Sequence, residues 1–145
     1  MAKPYQLIVD TNVLISGLRS KQGASYQLLT RLKDDHWQIN ISVPLILEYE
    51  TLLNRESAVL QIDSTIINRI LNDICAIANH HEIFYIWRPT VKDPNDDFLV
   101  DLAIKAQADY IITYNQKDLS PSTRQFGLKV ITPKEFLQFV GELPS

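Results

Sequence analysis

Along this chain, apolar runs of four or five residues alternate with longer stretches in which apolar residues return every three or four positions. Five of the short runs have the character of β-strands: Tyr5 to Val9, Ile39 to Val43, Ile83 to Trp87, Tyr110 to Thr113 and Leu128 to Ile131. The first and fourth are mostly apolar without alternation, as expected of central strands covered on both faces. Asp63 to His80 is the clearest helix. Its Ile66, Ile67, Ile70, Leu71, Ile74, Cys75 and Ala78 form one stripe, and Asp63 or Ser64 can cap its start. Pro44 sits where a helix begins and no amide hydrogen is needed, with Ile46, Tyr49 and Leu53 following on one face. Leu99, Leu102, Ala103 and Ala106 mark another helix, and Thr132-Pro133 opens a last one through Phe136 and Val140. Strands alternating with helices predict an α/β fold of three layers, its parallel sheet lying between helices. No repeat, low-complexity tract or linker divides residues 1–145, so a single domain is expected.

Composition changes this picture little. A chain of 145 residues suits one domain with a real core, and 46% hydrophobic content is too apolar for disorder. The single Cys75 excludes an internal disulfide framework and suits a reducing compartment. The opening MAKPYQLIVD lacks a signal peptide's apolar stretch, and no run approaches the roughly 18 apolar residues of a membrane helix. A cytoplasmic protein without a membrane is the expectation. The formal charge of −3 does not announce a nucleic-acid binder. Any polyanionic substrate must then be held by a local basic surface or a bound cation.

The polar interruptions carry more. Asp10-Thr11-Asn12 closes the first apolar run, Lys92-Asp93-Pro94-Asn95-Asp96-Asp97 follows the third, and Thr113-Tyr114-Asn115 closes the fourth. In open α/β sheets ligands collect at the carboxyl ends of the strands, so these junctions share one edge. Each alone is explained by helix capping or a turn, and Thr11 and Asn12 are placed to cap the next helix and steady Asp10. Together they look like a site. Glu48 adds to it, with Leu45 and Leu52 on its helical face, because a carboxylate among aliphatic neighbours is costly unless paired or metal-bound. Glu50 is flanked by Leu47 and Leu53 in the same way, and periodicity does not choose between the two.

Carboxylates gathered within about 5 Å repel by on the order of 3 kcal/mol per pair at an effective dielectric near 20. A divalent metal relieves that, and all-oxygen ligands suit Mg²⁺ or Mn²⁺. Zinc is a poor fit, since Cys75 and His36, His80 and His81 show no ligand spacing, and the His pair suits a helix C-terminal dipole. Gly17 and Gly23 form no phosphate-binding loop. Walker, dinucleotide and Gly-x-Ser-x-Gly patterns do not occur.

Three stretches, IVDTNVLISGL, ISVPLILEYETLLNR and DPNDDFLVDLAIKAQADYIITYNQKDL, come in the order and spacing of the motifs of the PIN-domain family. From Leu7 to about Phe136 the chain resembles in particular the VapC-like toxin components of toxin–antitoxin pairs. The resemblance implies a mostly parallel five-stranded sheet with acids at its carboxyl edge, and Mg²⁺- or Mn²⁺-dependent cleavage of RNA. Carried over residue by residue, Asp10, Glu48 and Asp96 match the catalytic acids, with Asp97 as an alternative third acid. Metal ligands would come from Asp10, Asp96, Asp97 and Asn115, while Thr11, Asn12 and Thr113 match supporting polar residues. Many relatives carry a fourth acid where this chain has Asn115, which brings no charge and leaves one or two metal ions open. Asp118 follows close by. Candidate phosphate contacts are Arg19, Lys21, Arg88, Lys92 and Lys117, in loops near the strand ends. The resemblance also implies a homodimer and a small antitoxin that blocks the site. Two other classes are weighed against it. A degenerate PIN domain would bind protein or RNA without catalysis. A phosphoacceptor receiver domain would pair two acids after the first strand, where Asp10 stands alone.

Overall fold

Strand β1 (Tyr5–Val9) runs through the middle of the molecule because Leu7, Ile8 and Val9 are apolar on both faces and are buried on both. The computed structural model describes residues 3–83, 97–116, 119 and 126–142. After β1 come α1 (Thr11–Arg19), α2 (Ala24–Leu29), β2 (Trp37–Ser42), α3 (Val43–Arg55), α4 (Ser57–Leu60) and α5 (Ser64–Ile77). The rest is β3 (Asn79–His81), α6 (Asp97–Ala106), β4 (Tyr110–Ile112), β5 (Val130–Ile131) and α7 (Pro133–Phe139). The five strands form one parallel sheet in the order β3-β2-β1-β4-β5, within the three-layer α/β/α arrangement expected.

That order has a functional consequence. The chain builds outward from β1 to β2 and β3, then returns through α6 to place β4 on the other side of β1. The strand order therefore reverses between β1 and β4, and a crevice opens at their carboxyl ends. Register brings Val9 opposite Ile112, and the Asp10 amide extends the ladder to the Ile112 carbonyl at 2.9 Å. Asp10 and Thr113 thus leave the sheet side by side.

Local chemistry starts the helices where the sequence places them. The Asp63 carboxylate accepts the Ile66 amide at 3.0 Å and caps α5. Ser42 Oγ accepts the Leu45 amide at 3.4 Å to open α3, with Pro44 in its first turn. Thr132 and Glu135 form a reciprocal capping box at α7, where Pro133 is the first residue. Leu99, Leu102 and Ala103 of α6 are buried, as their spacing predicts.

The third strand departs from expectation. Helix α5 ends at Ile77, and the edge strand is the polar Asn79-His80-His81, paired with Asn40 to Ser42. Ile83 is not in a strand, and residues 84–87 of the expected run lie outside the described residues. Edge strands are half solvated and need no apolar run, so a search for apolar runs passes over this one. The two histidines are both engaged: His80 Nε2 lies 2.8 Å from the Cys75 carbonyl near the α5 terminus, and His81 Nε2 lies 2.8 Å from Asn40 Oδ1. Strand β2 begins at Trp37 and yields to α3 at Val43 rather than including it, because Ser42 is the cap. Among the described residues, no helix is long and apolar enough to cross a membrane.

Candidate functional site

Asp10 ends β1 in an extended conformation and is itself the N-cap of α1: its Oδ1 accepts the Thr11 amide at 2.7 Å. Thr11 and Asn12, placed at the cap by sequence alone, are instead the first residues of the helix. The strand must end in a residue that can both pair with β4 and accept a helix amide, and aspartate does both. Its carboxylate is nevertheless buried, with 7% of the residue exposed, far more than capping requires.

The second oxygen of Asp10 is held from across the switch point. Thr113, fully buried after β4, donates its hydroxyl to Asp10 Oδ2 at 2.7 Å. The same hydroxyl oxygen accepts the Asn115 amide at 2.9 Å and the Asn12 Nδ2 at 3.4 Å, while Asn12 Oδ1 accepts the Tyr114 amide at 3.4 Å. Asn12, Thr113 and Asn115 therefore join one network around Asp10. Burying a carboxylate is costly unless donors replace its water, and here backbone and hydroxyl donors do so.

Helix α3 contributes the second acid. Thr11 Oγ1 donates to Glu48 Oε2 at 2.5 Å, so one threonine ties both carboxylates together, Asp10 through its amide and Glu48 through its hydroxyl. Glu50 points elsewhere and is exposed. The ambiguity that periodicity left is thereby resolved in favour of Glu48. Its neighbour Tyr49 is buried and donates its hydroxyl to the Val9 carbonyl at 2.5 Å, pinning α3 to the end of β1. Burial, and then the charges of Asp10 and Glu48, push the Tyr49 phenol far above its ordinary pKa of 10, so it remains a donor. By sequence Tyr49 belongs only to a helix stripe. Its two-residue neighbourhood with Glu48 was the available signal.

Helix α2 reaches the same region. Buried Ser25 shares a 2.5 Å hydrogen bond with the Tyr114 hydroxyl. Gly17 permits this close approach, since a Cβ there would meet the Ser25 carbonyl carbon at 3.1 Å and press into the Leu29 side chain.

Other expected residues are placed differently. Asp97 is the first residue of α6, the crossover helix that leads into β4; Asp96, Arg88, Lys92, Lys117 and Asp118 lie outside the described residues. Arg19 and Lys21 do not sit by the strand ends. They stand at the far end of the nine-residue α1, about 13 Å along its axis from Asp10, because the helix runs back from the sheet edge. Arg19 there faces Glu56 at 3.7 Å, both partly exposed.

The side-chain groups gathered near the switch point offer oxygens: two carboxylates, two threonine hydroxyls and the side-chain amide of Asn12. This set fits a hard divalent cation such as Mg²⁺ or Mn²⁺ and not zinc, while His80 and His81 are occupied at the sheet's edge. Among the described residues, no three His, Cys, Asp or Glu side chains are grouped to hold a metal, the expected third acid falling outside them.

The PIN domain family matches residues 6–117. Among solved structures, the chain is similar to one in the crystal structure of VapBC2 from Rickettsia felis bound to a DNA fragment from their promoter. The TM-score is 0.55 at 15% identity, covering 86% of this chain and 96% of that one, a likeness of fold. No curated protein matches the chain.

Proposed function

This chain belongs to the PIN domain family, and from that premise we propose that it is a metal-dependent endoribonuclease, the toxin component of a toxin–antitoxin pair. PIN domains are generally nucleases that use divalent metal ions. The observation that carries the reading is the buried Asp10 carboxylate at the β1/β4 switch point, tied through Thr11 to Glu48. Structural capping needs neither its burial nor a second acid.

Asp10 and Asp96 would hold Mg²⁺ or Mn²⁺, with Glu48 beside them and Asp97 or Asn115 completing the oxygen set. When bound, the ion lowers the pKa of its water and neutralises charge building on the phosphate oxygens. The protein's own groups do the positioning. The Thr113 hydroxyl and the Thr11 amide hold both Asp10 oxygens, so the carboxylate loses no freedom on binding. Thr11 Oγ1 fixes Glu48 against the same centre. Tyr49, kept protonated, clamps α3 to the strand end so the two acids keep their spacing. A cation also reconciles a chain of net charge −3 with a polyanionic substrate, because it reverses the local field.

The named structural relative is a VapBC assembly, which supports an antitoxin partner for this chain; coverage of the site by that partner and a homodimer are carried by the family resemblance alone. The deciding assay compares the protein with Asp10→Asn on single-stranded and structured RNA, with and without Mn²⁺. We expect the substitution to reduce cleavage more than about 100-fold and chelation to abolish it. Equal cleavage by both proteins, or cleavage surviving chelator, would sink the mechanism.

One residue favours a second reading. Asn115 stands where an acid would add charge, so a degenerate domain that binds without cutting is the alternative. Calorimetric titration with Mn²⁺ separates the two, since the degenerate domain takes up none.

A further inference from the structure

Two clefts reach the site from the same side of the molecule. One, about 390 Å³, runs between α1 and α3 from Asn12 past Ser16 to Arg19 and Arg55. The other, about 400 Å³, passes Glu48 and Phe98 and also ends at Arg55. Leu52 and Arg55 line both, and form the divide between them.

Helix geometry explains why. Glu48, Thr51, Leu52 and Arg55 follow at steps of three and four, so they share one face of α3, and Arg55 lies roughly 10 Å along the axis from Glu48. Helix α1 repeats the pattern, with Asn12, Ile15, Ser16 and Arg19 on the face that borders the cleft. Each helix thus offers a polar group of the site, Asn12 in the first turn of α1 and Glu48 midway along α3, and an arginine seven residues on. The two arginines differ in one respect. Arg19 is paired with Glu56 at 3.7 Å, whereas Arg55 makes no ion pair among the described residues and is exposed.

A surface arginine is ordinarily only solvated. Arg55 is distinguished by standing at the junction of two clefts that each begin at a residue of the acidic network. A guanidinium offers a planar fork of donors that matches a phosphate, and a distance of roughly 10 Å is on the order of one or two nucleotides along a single strand. Resting on the ribonuclease reading above, we infer that Arg55 is a substrate-positioning residue. It grips a backbone phosphate one or two nucleotides from the scissile one, and the α1/α3 cleft carries the single strand away from the acids.

The test uses the full chain with Mn²⁺ and fluorescein-labelled oligouridylates of two lengths, a dinucleotide and a dodecamer. With the dodecamer, Arg55→Ala should raise KM about tenfold while kcat stays within about twofold. The slope of log(kcat/KM) against log salt should become shallower by about 0.7, one phosphate contact on a single strand. Arg55→Lys should recover part of the KM. The dinucleotide, too short to reach Arg55, should be cleaved alike by all three proteins. Arg55 is exposed, and matched melting curves exclude a folding defect. A wild-type chain that cleaves and a variant with the same KM and salt slope would overturn the inference alone. Unchanged RNA kinetics with an altered oligomeric state in Arg55→Glu would overturn it in favour of a protein-docking cleft. A wild-type chain that cleaves no RNA removes the ribonuclease reading and this inference with it.

Discussion

Strands β1 and β4 begin and end in opposite chemistry. At their amino ends Tyr5 and Tyr110 meet each other and Phe136 and Phe139 of α7, and Phe136 also meets Trp37 of β2, with ring centroids 5.5 to 6.3 Å apart, edge to face or tilted. At their carboxyl ends, a few residues later, stand Asp10 and Thr113 with Thr11, Asn12 and Glu48. Aromatic burial stabilises the fold directly, and each such ring pair adds about 0.5 to 1.5 kcal/mol beyond its area. The polar end works against stability. Its hydrogen bonds offset the desolvation of a carboxylate rather than adding a surplus. The same sheet is anchored at one edge and kept chemically costly at the other, as expected where a local rule is broken for a proposed functional site.

Substitutions at the two edges should therefore separate stability from activity. The largest effect is expected from Phe136→Ala, which empties a fully buried position shared by three other rings. It should cost about 3 to 5 kcal/mol in urea unfolding, with kcat near normal wherever the protein remains folded. A folded variant with depressed kcat would show that the edges are coupled. Next comes Thr113→Val, which keeps the shape but removes the donor to Asp10 and the acceptor for Asn115 and Asn12. We expect about 1 to 3 kcal/mol of lost stability and a fall in cleavage of roughly 10- to 100-fold. Intact cleavage would mean that this hydroxyl does not hold the working carboxylate.

The smallest effect belongs to Tyr49→Phe, which leaves the ring and removes the bond to Val9 at a cost of about 1 kcal/mol. Its pH dependence has a definite sign. The folded phenol is pushed up by burial first and by the charges of Asp10 and Glu48 after it, while in the unfolded chain it ionises near its ordinary value of 10. The stability tied to its protonated form is fully present below that value and drains away as pH rises above it. The phenylalanine variant has nothing to lose there. The gap between the two proteins should accordingly stay constant up to about pH 9 to 10 and narrow as pH rises beyond about 10, as read by urea midpoints. A gap unchanged above pH 10 would mean that folding does not raise the phenol's pKa.

How much of this was legible beforehand differs from element to element. Central strands β1 and β4, the stripe of α5 and the caps at Asp63 and Thr132 all follow from patterns within a dozen residues. The edge strand Asn79–His81 did not, because its pairing with Asn40 to Ser42, and not its own composition, makes it a strand. Asp10 and Thr113 could be suspected as neighbours from the alternation of strands and helices. That the threonine hydroxyl meets the carboxylate at 2.7 Å across 103 residues could not.

By itself the sequence determined the class of fold, the run of helices and strands, and the motifs that mark a PIN domain. Periodicity and capping report what each residue's near neighbours bury, and those are local quantities. Only the tertiary structure decided that β4 lies against β1, that Glu48 rather than Glu50 joins Asp10 through Thr11, that Tyr49 pins α3 to the end of β1, and that Arg55 lines the cleft leading away from Glu48. These depend on strand order and on which face of α3 packs toward α1. Such choices are settled by contacts between distant segments, which no local pattern along the chain records.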